Sequence, residues 1–469
     1  MMPPPATIVI FGITGDLSRR YLLPSLYHLL LAGLLPEPLT IAGITRRPPD
    51  KAQLKKELAA RLQTDGQTPD PYTLDRLMDM VEIMSLDLTD PQAYLDLAAK
   101  LDALEQAAAA CLSRLFYLSI PPSAYGPVVD LLGEAGLHRG CSHGQMSRLM
   151  VEKPFGYDLA SATELIARLT RHFHEDQIYR IDHYLAKETA QNLLVFRSAN
   201  PVFGAVWNRH HTKAITITSS ETIGIEGRAA FYDPVGALRD VVQNHLLQLL
   251  ALVMMEPPVG RTPAALHAAK LRLLEDIVPV APDEVSTLAT RGQYVGYRDD
   301  AGNQDSITET FARLRLNVAN DRWRGVPVTI QNGKALDRKT TEIEFTFADE
   351  GLPEAGANRL VFRLQPDEGI SIDLLAKRPG FADQTEKVSM DFAYASSFAA
   401  HVQPTAYERV LLDGLRGDQS LFASSAEILA SWKIIDSVVA EWSKSASGLQ
   451  LYDPGSAPLS IGRQPRSAK

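Results

Sequence analysis

The sequence predicts a two-domain protein: a doubly wound α/β domain over residues 1–180, then an α+β domain over residues 181–469 with a large, mainly antiparallel sheet. A chain of 469 residues is too long for one ordinary core. Short β-branched runs alternate with helical patterns in the first part, as in a parallel sheet covered by helices. Runs with period-two alternation replace them later, which indicates an antiparallel sheet with one exposed or partner-covered face.

The first predicted strand, residues 7–11, leads directly into Gly12-Ile-Thr-Gly-Asp-Leu-Ser and then a helical pattern over residues 19–31. Strand, glycine turn and helix are what a dinucleotide pyrophosphate needs in a Rossmann-like domain, because the helix N-terminus offers free N–H groups. The Gly-x-x-Gly spacing is weaker than Gly-x-Gly-x-x-Gly, so a plain strand-to-helix turn is an equal alternative.

The second predicted strand, residues 39–44, is followed by Thr45-Arg46-Arg47. An NAD-specific site usually has an acidic residue there to accept from the ribose 2′-hydroxyl. Guanidinium groups suit a 2′-phosphate instead, which predicts NADP. Two solvated arginines at a strand end are the alternative.

Four further strands are predicted for this domain, at residues 81–86, 114–120, 147–152 and 177–181. Ligands collect at the carboxyl ends of such strands, where Asp87 and Lys153 lie. The peptide before Pro154 is predicted to be cis.

The segment from Arg180 to Glu188 sets a carboxylate, an imidazole, a phenol and an ammonium group side by side. If the helical pattern of residues 187–196 starts early, His183 and Lys187 share a helix face as two potential cations for a phosphorylated polyol. The alternative is a solvated helix start capped by Asp182.

The composition of the chain limits the classes of ligand that it is expected to bind and the cell compartment in which it is expected to occur. With 45% hydrophobic and 22% charged residues the chain is typical of soluble globular proteins, and its net charge of −9 favours neither nucleic acid nor an anionic membrane. The longest apolar run, residues 246–255, is too short to span a bilayer and predicts a buried helix. Cys111 and Cys141 form no metal or redox motif, so a reducing, cytoplasmic compartment is expected. No metal is expected, because the paired histidines of the chain lack a third ligand at zinc-site spacing.

The chain resembles the glucose-6-phosphate dehydrogenases in segments that run in order through nearly its whole length. These segments are Ile10-Phe-Gly-Ile-Thr-Gly-Asp-Leu17, Phe116-Tyr-Leu-Ser-Ile-Pro-Pro122, Glu152-Lys-Pro-Phe-Gly156, Arg180-Ile-Asp-His-Tyr-Leu-Ala-Lys-Glu188, Gly224-Ile-Glu-Gly-Arg228, Leu238-Arg-Asp-Val-Val-Gln-Asn-His-Leu-Leu-Gln248, Trp323-Arg-Gly-Val-Pro327, Gly333-Lys-Ala-Leu336 and Tyr407-Glu-Arg-Val-Leu-Leu-Asp413.

The resemblance implies oxidation of D-glucose 6-phosphate at C1 to 6-phospho-D-glucono-1,5-lactone with hydride transfer to NADP, the first oxidative step of the pentose phosphate pathway. It assigns His245 as the general base and Asp182 as the group that orients it. The substrate contacts that it implies are Lys153, His183, Tyr184, Lys187, Glu221, Asp240, Lys334 and Lys339. The cofactor contacts that it implies are Gly12, Ile13, Thr14, Gly15, Asp16, Leu17, Arg46, Asp87, Leu88, Tyr117 and Lys153.

The segment around His245 can be examined on its own. Asp240, Asn244 and Gln248 fall at steps of four and predict the polar stripe of an amphipathic helix, with His245 beside it. A histidine in that position is more often structural than catalytic, and the family resemblance is what favours the base.

A few positions depart from the family pattern. Ala186 replaces a glycine and would be strained at positive φ. Tyr21 stands where a lysine is usual, and Ala229 and Ala230 replace positions that usually include glycine. Gln331-Asn332 replace a stretch that often begins with an arginine of a second, structural NADP site, so that site is not expected here.

The family uses its antiparallel sheet for dimer formation, which implies a homodimer or homotetramer. The tail after Tyr452 is rich in proline and glycine and predicts a surface arm. Two other functions compete: a dehydrogenase of an unphosphorylated sugar, and a non-catalytic NADPH-binding regulator. The basic set of His183, Lys187, Lys334 and Lys339 argues against the first, and Asp182 with His245 argues against the second.

Overall fold

The computed structural model describes residues 2–47, 50–141, 146–260, 262–348, 356–381, 384–399 and 403–461. Within these ranges a seven-stranded and a nine-stranded sheet organise the chain, as the predicted fold class requires. The division at residues 180 and 181 stays a prediction. Across the same ranges, no helix has both the length and the apolar character that a bilayer crossing needs.

The first sheet has six parallel strands near the N-terminus. They are β1 (Ala6–Phe11), β2 (Leu39–Thr45), β3 (Val81–Ser85), β4 (Ser113–Leu118), β5 (Arg148–Val151) and β6 (Ile178–Ile181). The helices between them are α1 (Leu23–Leu31), α2 (Lys51–Thr64), α3 (Pro71–Met80), α4 (Pro91–Ala108), α5 (Tyr125–Glu134) and α6 (Leu159–Leu169). The spatial order β6-β5-β4-β1-β2-β3 is that of a doubly wound sheet.

The second sheet is mainly antiparallel, and all its strands come from the rest of the chain. The remaining strands are β7 (Thr212–Ser220), β8 (Ala289–Tyr294), β9 (Phe311–Leu316), β10 (Val328–Gly333), β11 (Thr340–Phe347), β12 (Arg359–Gln365), β13 (Gly369–Lys377), β14 (Thr385–Ala393), β15 (Phe422–Ala423) and β16 (Leu449–Tyr452). The remaining α-helices are α7 (Glu188–Ala199), α8 (Pro201–Gly204), α9 (Ala229–Tyr232), α10 (Leu247–Met254), α11 (Pro263–Asp276), α12 (Val285–Leu288), α13 (Tyr297–Ala301), α14 (Tyr394–Ser397), α15 (Ala406–Arg416) and α16 (Ser425–Lys444).

The order in the second sheet is β14-β13-β12-β11-β7-β10-β9-β8-β16. In β12, Leu360, Phe362 and Leu364 are buried while Arg359 and Arg363 are more exposed, so the predicted period-two alternation is confirmed. Strand β15 instead extends the first sheet by pairing antiparallel with β6. Helix α15 also returns to the first sheet, where Glu408 accepts from His28 Nδ1 of α1 at 2.7 Å.

Two segments next to the functional motifs are π-helices, Ser18–Leu22 and Leu238–Leu246. The second means that Asp240 and Asn244 lie in a π-helix, whose turns close five residues apart, and not in the ordinary helical pattern that was predicted. Helix α10 follows with every residue buried, which confirms the buried helix predicted for the longest apolar run.

The expectation that His183 and Lys187 share a helix face is wrong. Helix α7 begins only at Glu188, and Lys187 has extended backbone angles. The reason is local: an Asp182 carboxylate oxygen accepts from the Tyr184 N–H at 2.9 Å, and Leu185 N–H bonds Asp182 O, so residues 182–187 form turns. Ala186 is buried and does not have a positive φ, so the strain expected there does not arise.

The sequence analysis expected two separate thiols in a reducing compartment. The two cysteines instead form a disulfide, with 5.8 Å between their Cα atoms. Cys111 precedes β4 and Cys141 lies in the connection that leads to β5. Because β4 and β5 are neighbouring parallel strands, those connections meet at the same edge of the sheet. A separation of 30 residues in sequence carried no such signal.

A buried ion pair joins α11 to α16. Lys270 Nζ lies 2.7 Å from Glu427 Oε2 with both side chains fully buried, and His267 Nδ1 lies 2.7 Å from Oε1 of the same carboxylate. Burial would raise the pKa of Glu427, but the charges and hydrogen bonds of Lys270 and His267 together outweigh burial, and the pKa is lowered. The carboxylate is therefore a charged link between the two helices.

We predict that Glu427→Gln lowers the free energy of unfolding by about 3 kcal/mol, because it leaves the buried Lys270 charge without a partner. The matched control is Glu441→Gln on the same helix, which breaks an exposed pair with Lys444 and should cost less than about 1 kcal/mol. Denaturant unfolding followed by circular dichroism measures both. Equal effects of the two substitutions would contradict the prediction.

Candidate active site

The residues predicted to bind cofactor gather at the carboxyl ends of β1 to β5. Gly12 to Leu17 follow β1, Arg46 follows β2, Asp87 and Leu88 follow β3, Tyr117 lies at the end of β4, and Lys153 follows β5. These strands are parallel neighbours, so their ends form one edge of the sheet. A dinucleotide binds along such an edge at the point where the strand order reverses.

The turn after β1 requires glycine. Gly12 has φ +87°, and a Cβ atom there would overlap the carbonyl oxygen of Ser119. Its N–H donates to Ile44 O at 2.9 Å, and its carbonyl oxygen accepts from Gly15 N–H and Ser18 Oγ, each at 2.9 Å. The backbone is thus held where a pyrophosphate can approach closely, which favours the nucleotide site over a plain turn.

The other members of the turn have distinct positions. Ile13 is buried, Thr14 Oγ1 lies 3.1 Å from Thr45 Oγ1, and Asp16 makes an exposed ion pair with Arg20. Leu17 precedes the π-helix that starts at Ser18. The turn therefore contacts the end of β2 through Thr45.

Arg46 and Arg47 are exposed, and within the described ranges neither guanidinium group makes a hydrogen bond or ion pair, while their carbonyl oxygens accept from Ser85 Oγ and Thr45 Oγ1. Asp87 accepts from Thr89 N–H and Oγ1, which lowers the pKa of its carboxyl, and nearby Arg46 lowers it further. Leu88 O accepts from Tyr94 OH at 3.1 Å. Two free guanidinium groups beside the second strand suit a phosphate on the adenosine ribose.

Glu152 and Tyr407 belong to this edge and were not assigned from the sequence. Tyr117 OH donates to Glu152 Oε1 at 2.6 Å, and Tyr407 also hydrogen-bonds that carboxyl group. Burial raises the pKa of Glu152 to about 7. Tyr21 stacks on Tyr407 with ring centroids 4.9 Å apart, so an aromatic pair fills the place of the usual lysine. The one available signal was the position of Glu152 directly before Lys153.

The centre of the site is a buried pair of Asp182 and His245. His245 Nδ1 lies 2.5 Å from Asp182 Oδ1, and both side chains are almost fully buried. Burial lowers the pKa of His245, although the nearby Asp182 acts to raise it. Burial would raise the pKa of Asp182, but the nearby His245 holds that pKa down at about 2. The pair therefore consists of an ionised carboxylate and a neutral imidazole.

The other ring nitrogen of His245, Nε2, is buried and has no hydrogen-bond partner among the described residues. The Nδ1–H donates to Asp182, so Nε2 carries the lone pair. The ring stacks on Tyr184 at 4.3 Å and contacts the His183 ring edge at 4.5 Å. A buried acceptor without a donor is what a general base for a substrate hydroxyl needs.

His183, Tyr184 and Lys187 form the second group of the site. Lys187 Nζ lies 4.9 Å from the centre of the Tyr184 ring and donates to Gln365 Oε1 at 2.5 Å. Burial lowers the pKa of His183 well below its ordinary value, so His183 is a neutral hydrogen-bonding group in the free site. Burial and the exposed Lys339 also lower the pKa of Lys187.

Gln365 is a further residue that the sequence analysis missed. Its Nε2 donates to Thr341 Oγ1 at 2.8 Å, so its side chain has a fixed direction toward Lys187. It ends β12, far along the chain from the His183 motif. A lone glutamine at a strand end carries no signal of its own.

The remaining predicted substrate residues form two ion pairs. Lys153 Nζ lies 3.1 Å from Asp240 Oδ1 and donates to Asp240 O, while Lys334 pairs with Glu221. Lys334 Nζ also lies 5.3 Å from the Tyr232 ring centre. Each carboxylate beside an ammonium group can accept from one sugar hydroxyl while the ammonium donates to another.

The structure thus links the predicted cofactor edge to the predicted base through the contacts of Lys153 with Asp240 and of Asp182 with His245. The peptide between Lys153 and Pro154 is cis, which confirms the prediction. Lys153 links the two halves, since it follows the cofactor strand β5 and pairs with Asp240 of the His245 helix. These groups suit a polyhydroxylated anion: the two ion pairs can bind its hydroxyl groups, Lys187 beside the neutral His183 can bind its charge, and His245 can take a proton from it.

Comparison with known proteins agrees with this geometry. Residues 9–192 match the family "Glucose-6-phosphate dehydrogenase, NAD binding domain", and residues 194–460 match "Glucose-6-phosphate dehydrogenase, C-terminal domain". Glucose-6-phosphate 1-dehydrogenase 2 of Mycobacterium tuberculosis (strain ATCC 25618 / H37Rv) is 41% identical over 458 residues, which cover 93% of this chain and 88% of that protein. The Bacillus subtilis (strain 168) glucose-6-phosphate 1-dehydrogenase is 36% identical and covers 97% and 95%.

Solved structures give the same result. A glucose-6-phosphate dehydrogenase in complex with its substrate glucose-6-phosphate superimposes with a TM-score of 0.90 at 33% identity, covering 100% of this chain and 97% of the other. A levoglucosan dehydrogenase in complex with NADH and L-sorbose has a TM-score of 0.52 at 11% identity, with 93% and 97% covered. That second likeness is one of fold alone.

We predict that Gly12→Ala removes dinucleotide binding, because its Cβ would overlap Ser119 O at the turn. The matched control is Gly33→Ala, which also adds a methyl at positive φ (+65°) but meets no atom within 4 Å. Both variants bear the strain of a left-handed alanine, and only the first blocks the turn. Fluorescence titration with reduced dinucleotide measures the difference. Retained binding by Gly12→Ala would refute the placement.

Proposed function

The chain belongs to the glucose-6-phosphate dehydrogenase family and has glucose-6-phosphate 1-dehydrogenase activity, and we propose that His245 is its general base and Asp182 the residue that orients it. The observation that carries this proposal is the lone acceptor Nε2 of His245, buried without a partner while Nδ1 is held by Asp182. A structural histidine would be expected to use both nitrogens when buried.

In the proposed reaction Nε2 of His245 takes the proton of the C1 hydroxyl group. The C1–O bond becomes a carbonyl as C1 loses its hydrogen with the bonding electron pair, and the bound nicotinamide ring supplies the acceptor for that hydride. Asp182 stabilises the imidazolium that forms, because its carboxylate stays ionised in the buried pair. The lowered pKa of His245 keeps the imidazole neutral, and therefore basic, at neutral pH.

We propose that the phosphate of glucose 6-phosphate lies among His183, Tyr184, Lys187 and Lys339, with Gln365 beside them. Lys339 is exposed to solvent and lies near enough for its charge to lower the pKa of Lys187. A dianionic phosphate would raise the pKa of His183 again, because a nearby negative charge favours the protonated ring. The sugar hydroxyls would lie at the two ion pairs, Lys153 with Asp240 and Lys334 with Glu221.

We propose NADP as the preferred cofactor. The support is the pair Arg46 and Arg47 at the end of β2, both exposed and without an ion-pair partner in the described ranges. An arginine can bind a phosphate through two parallel hydrogen bonds, whereas an NAD site uses a carboxylate at this place. The assignments of Gly12 to Leu17, Asp87, Leu88, Tyr117 and Lys153 to the cofactor rest on their common edge of the sheet.

We also propose a homodimer, or a tetramer built from it, and a cytoplasmic location. The hairpin of β13 and β14 supports the first, because Val388 and Met390 are 43% and 62% exposed opposite Leu374 and Ile372. Apolar side chains grouped on a sheet face favour cover by another subunit.

The proposed cytoplasmic location follows from the family, and the disulfide of Cys111 and Cys141 is the observation against that location. Rapid alkylation of intact cells would find free thiols if the location is right.

We predict that His245→Asn lowers kcat by about 10²- to 10⁴-fold with little change in the KM for glucose 6-phosphate, since it removes the base and not a binding charge. The matched control is His267→Asn, whose Nδ1 also bonds a buried carboxylate, that of Glu427, which is not one of the proposed site residues. Steady-state kinetics at neutral pH measures both variants. An unchanged kcat for His245→Asn would exclude its role as the base.

We predict that Arg46→Ala raises the KM for NADP about tenfold or more and leaves the KM for NAD nearly unchanged, because only NADP has a 2′-phosphate to lose. Arg76→Ala, which removes an exposed arginine paired with Glu37, is the control. Initial rates with each nucleotide measure the ratio. Equal changes for the two nucleotides would rule out the 2′-phosphate contact.

We predict a mass of at least twice 51.5 kDa for the purified protein in light scattering. Met390→Asp should shift the equilibrium toward a single chain, because it places a charge in the apolar patch of the β13–β14 hairpin. A wild-type protein of one-chain mass at micromolar concentration would contradict the proposed dimer.

A further inference from the structure

The C-terminal segment from Leu449 to Ile461 packs against the second sheet at both of its ends. The tail after Tyr452, predicted to be a surface arm, is exposed from Asp453 to Gly455 and buried at Pro458 and Ile461, while Gly462 and Pro465 lie outside the described residues. Strand β16 pairs in parallel with β8, and Tyr452 and Ile461 are both buried. The segment lies against the loop that carries Lys334, through a bridge between Leu336 and Ser456. These contacts of the segment with β8 and with the Lys334 loop depend on tertiary packing, which the proline and glycine content of the segment could not reveal.

Both backbone groups of Lys334 are held by this arrangement. Tyr452 OH donates to Lys334 O at 2.7 Å, and Lys334 N–H donates to Thr310 O at 2.9 Å. Thr310 Oγ1 in turn lies 2.8 Å from Tyr452 OH and accepts from Tyr294 N–H at 2.9 Å. Because the Tyr452 hydroxyl donates its hydrogen bond to Lys334 O, the Thr310 hydroxyl donates to the Tyr452 oxygen. Every polar group of this small hydrogen-bond network is therefore satisfied.

The residue after Lys334 has an unusual conformation. Ala335 has φ +50°, which is costly for a residue with a side chain and persists only where its surroundings impose it. Its N–H donates to Ile223 O at 2.9 Å, and its carbonyl accepts from Gly455 N–H at 2.8 Å. The loop is thus held on one side by the Glu221 loop and on the other by the C-terminal segment.

The same segment completes a small core behind the sugar side of the site. This cluster is separate from the two larger ones and consists of Ile225, Tyr232, Tyr294, Tyr297, Phe311, Ala335, Leu336, Tyr452 and Ile461. Tyr232 of the cluster faces the Lys334 ammonium group. The cluster therefore supports Lys334 both at its backbone and at its charge.

We propose that Tyr452 is a positioning residue for substrate binding: its hydroxyl fixes the backbone at Lys334, so that the ammonium group stands beside Glu221 to meet a sugar hydroxyl. This inference rests on the proposed role of Lys334 in the substrate site. Tyr452 touches no reacting atom and acts through Lys334. Without its hydrogen bond, Lys334 O is buried and unpaired, and the left-handed Ala335 loses part of what holds it.

The test compares Tyr452→Phe with Tyr297→Phe in the full chain. Tyr297 is a buried member of the same cluster, and its hydroxyl donates to Asp233 Oδ1 at 2.9 Å, away from the Lys334 loop. Tyr452→Phe loses the hydrogen bonds to Lys334 O and Thr310 Oγ1, and Tyr297→Phe loses the part-buried bond to Asp233, so both should lower the melting temperature. Only Tyr452→Phe should raise the KM for glucose 6-phosphate, about five- to tenfold, with the KM for NADP unchanged. No rise, or an equal rise in Tyr297→Phe, would overturn the proposal.

A double-mutant cycle with Lys334→Met separates this inference from the function that it rests on. If Tyr452 acts through Lys334, adding Tyr452→Phe to Lys334→Met should change the KM less than about twofold, since the positioned group is already gone. A full further rise would show that Tyr452 acts elsewhere and would overturn the inference alone. If Lys334→Met itself leaves the KM unchanged, the assignment of Lys334 fails and this inference with it.

If Tyr452→Phe does not fold, Thr310→Val provides the second variant. It keeps the shape of the side chain and removes the hydroxyl that holds Tyr452. A smaller rise in the same KM is expected, with the same dependence on Lys334. An unchanged KM in a folded Thr310→Val protein would count against the proposal.

Discussion

The site depends on one buried contact, the hydrogen bond between Asp182 Oδ1 and His245 Nδ1. It joins the end of β6, in the first sheet, to the π-helix of the second part of the chain. A carboxylate buried without a partner would be strongly destabilising, so the imidazole must stay in place. Because one nitrogen is fixed in this way, the other is left as a buried acceptor without a partner among the described residues.

Around this pair, charge is arranged in local balance. Each lysine that we propose for the sugar side pairs with a carboxylate, Lys153 with Asp240 and Lys334 with Glu221, so the free site holds little net charge there. The proposed phosphate side differs, since Lys187 bonds the neutral Gln365, although the Glu368 carboxylate lies near enough to raise its pKa, and Lys339 is exposed. This asymmetry supports the proposal that a chain of net charge −9 directs the phosphate of an anionic substrate to one end of its site.

Much of the fold was readable from the sequence, because buried parallel strands and alternating strands leave strong patterns. The first six strands agree with prediction to within a residue or two. The local backbone at the site was not readable: a π-helix at Leu238–Leu246 and turns over residues 182–187 depend on tertiary hydrogen bonds. Gln365, Glu152 and Tyr452 were missed for the same reason, since each gains its role from a partner distant in sequence. The family resemblance, not spacing, identified His245.

The most direct test of the Asp182–His245 account is the pH dependence of kcat/KM for the wild type and for Asp182→Asn. The wild type should lose activity on the acid side with an apparent pKa below 6.5, because burial lowers the pKa of His245 and protonation removes the base. Asp182 raises that pKa, so Asp182→Asn should move the acid limb to lower pH while the plateau falls. The substrate's own titration is the same in both proteins. An acid limb that stays in place in the variant would contradict the account.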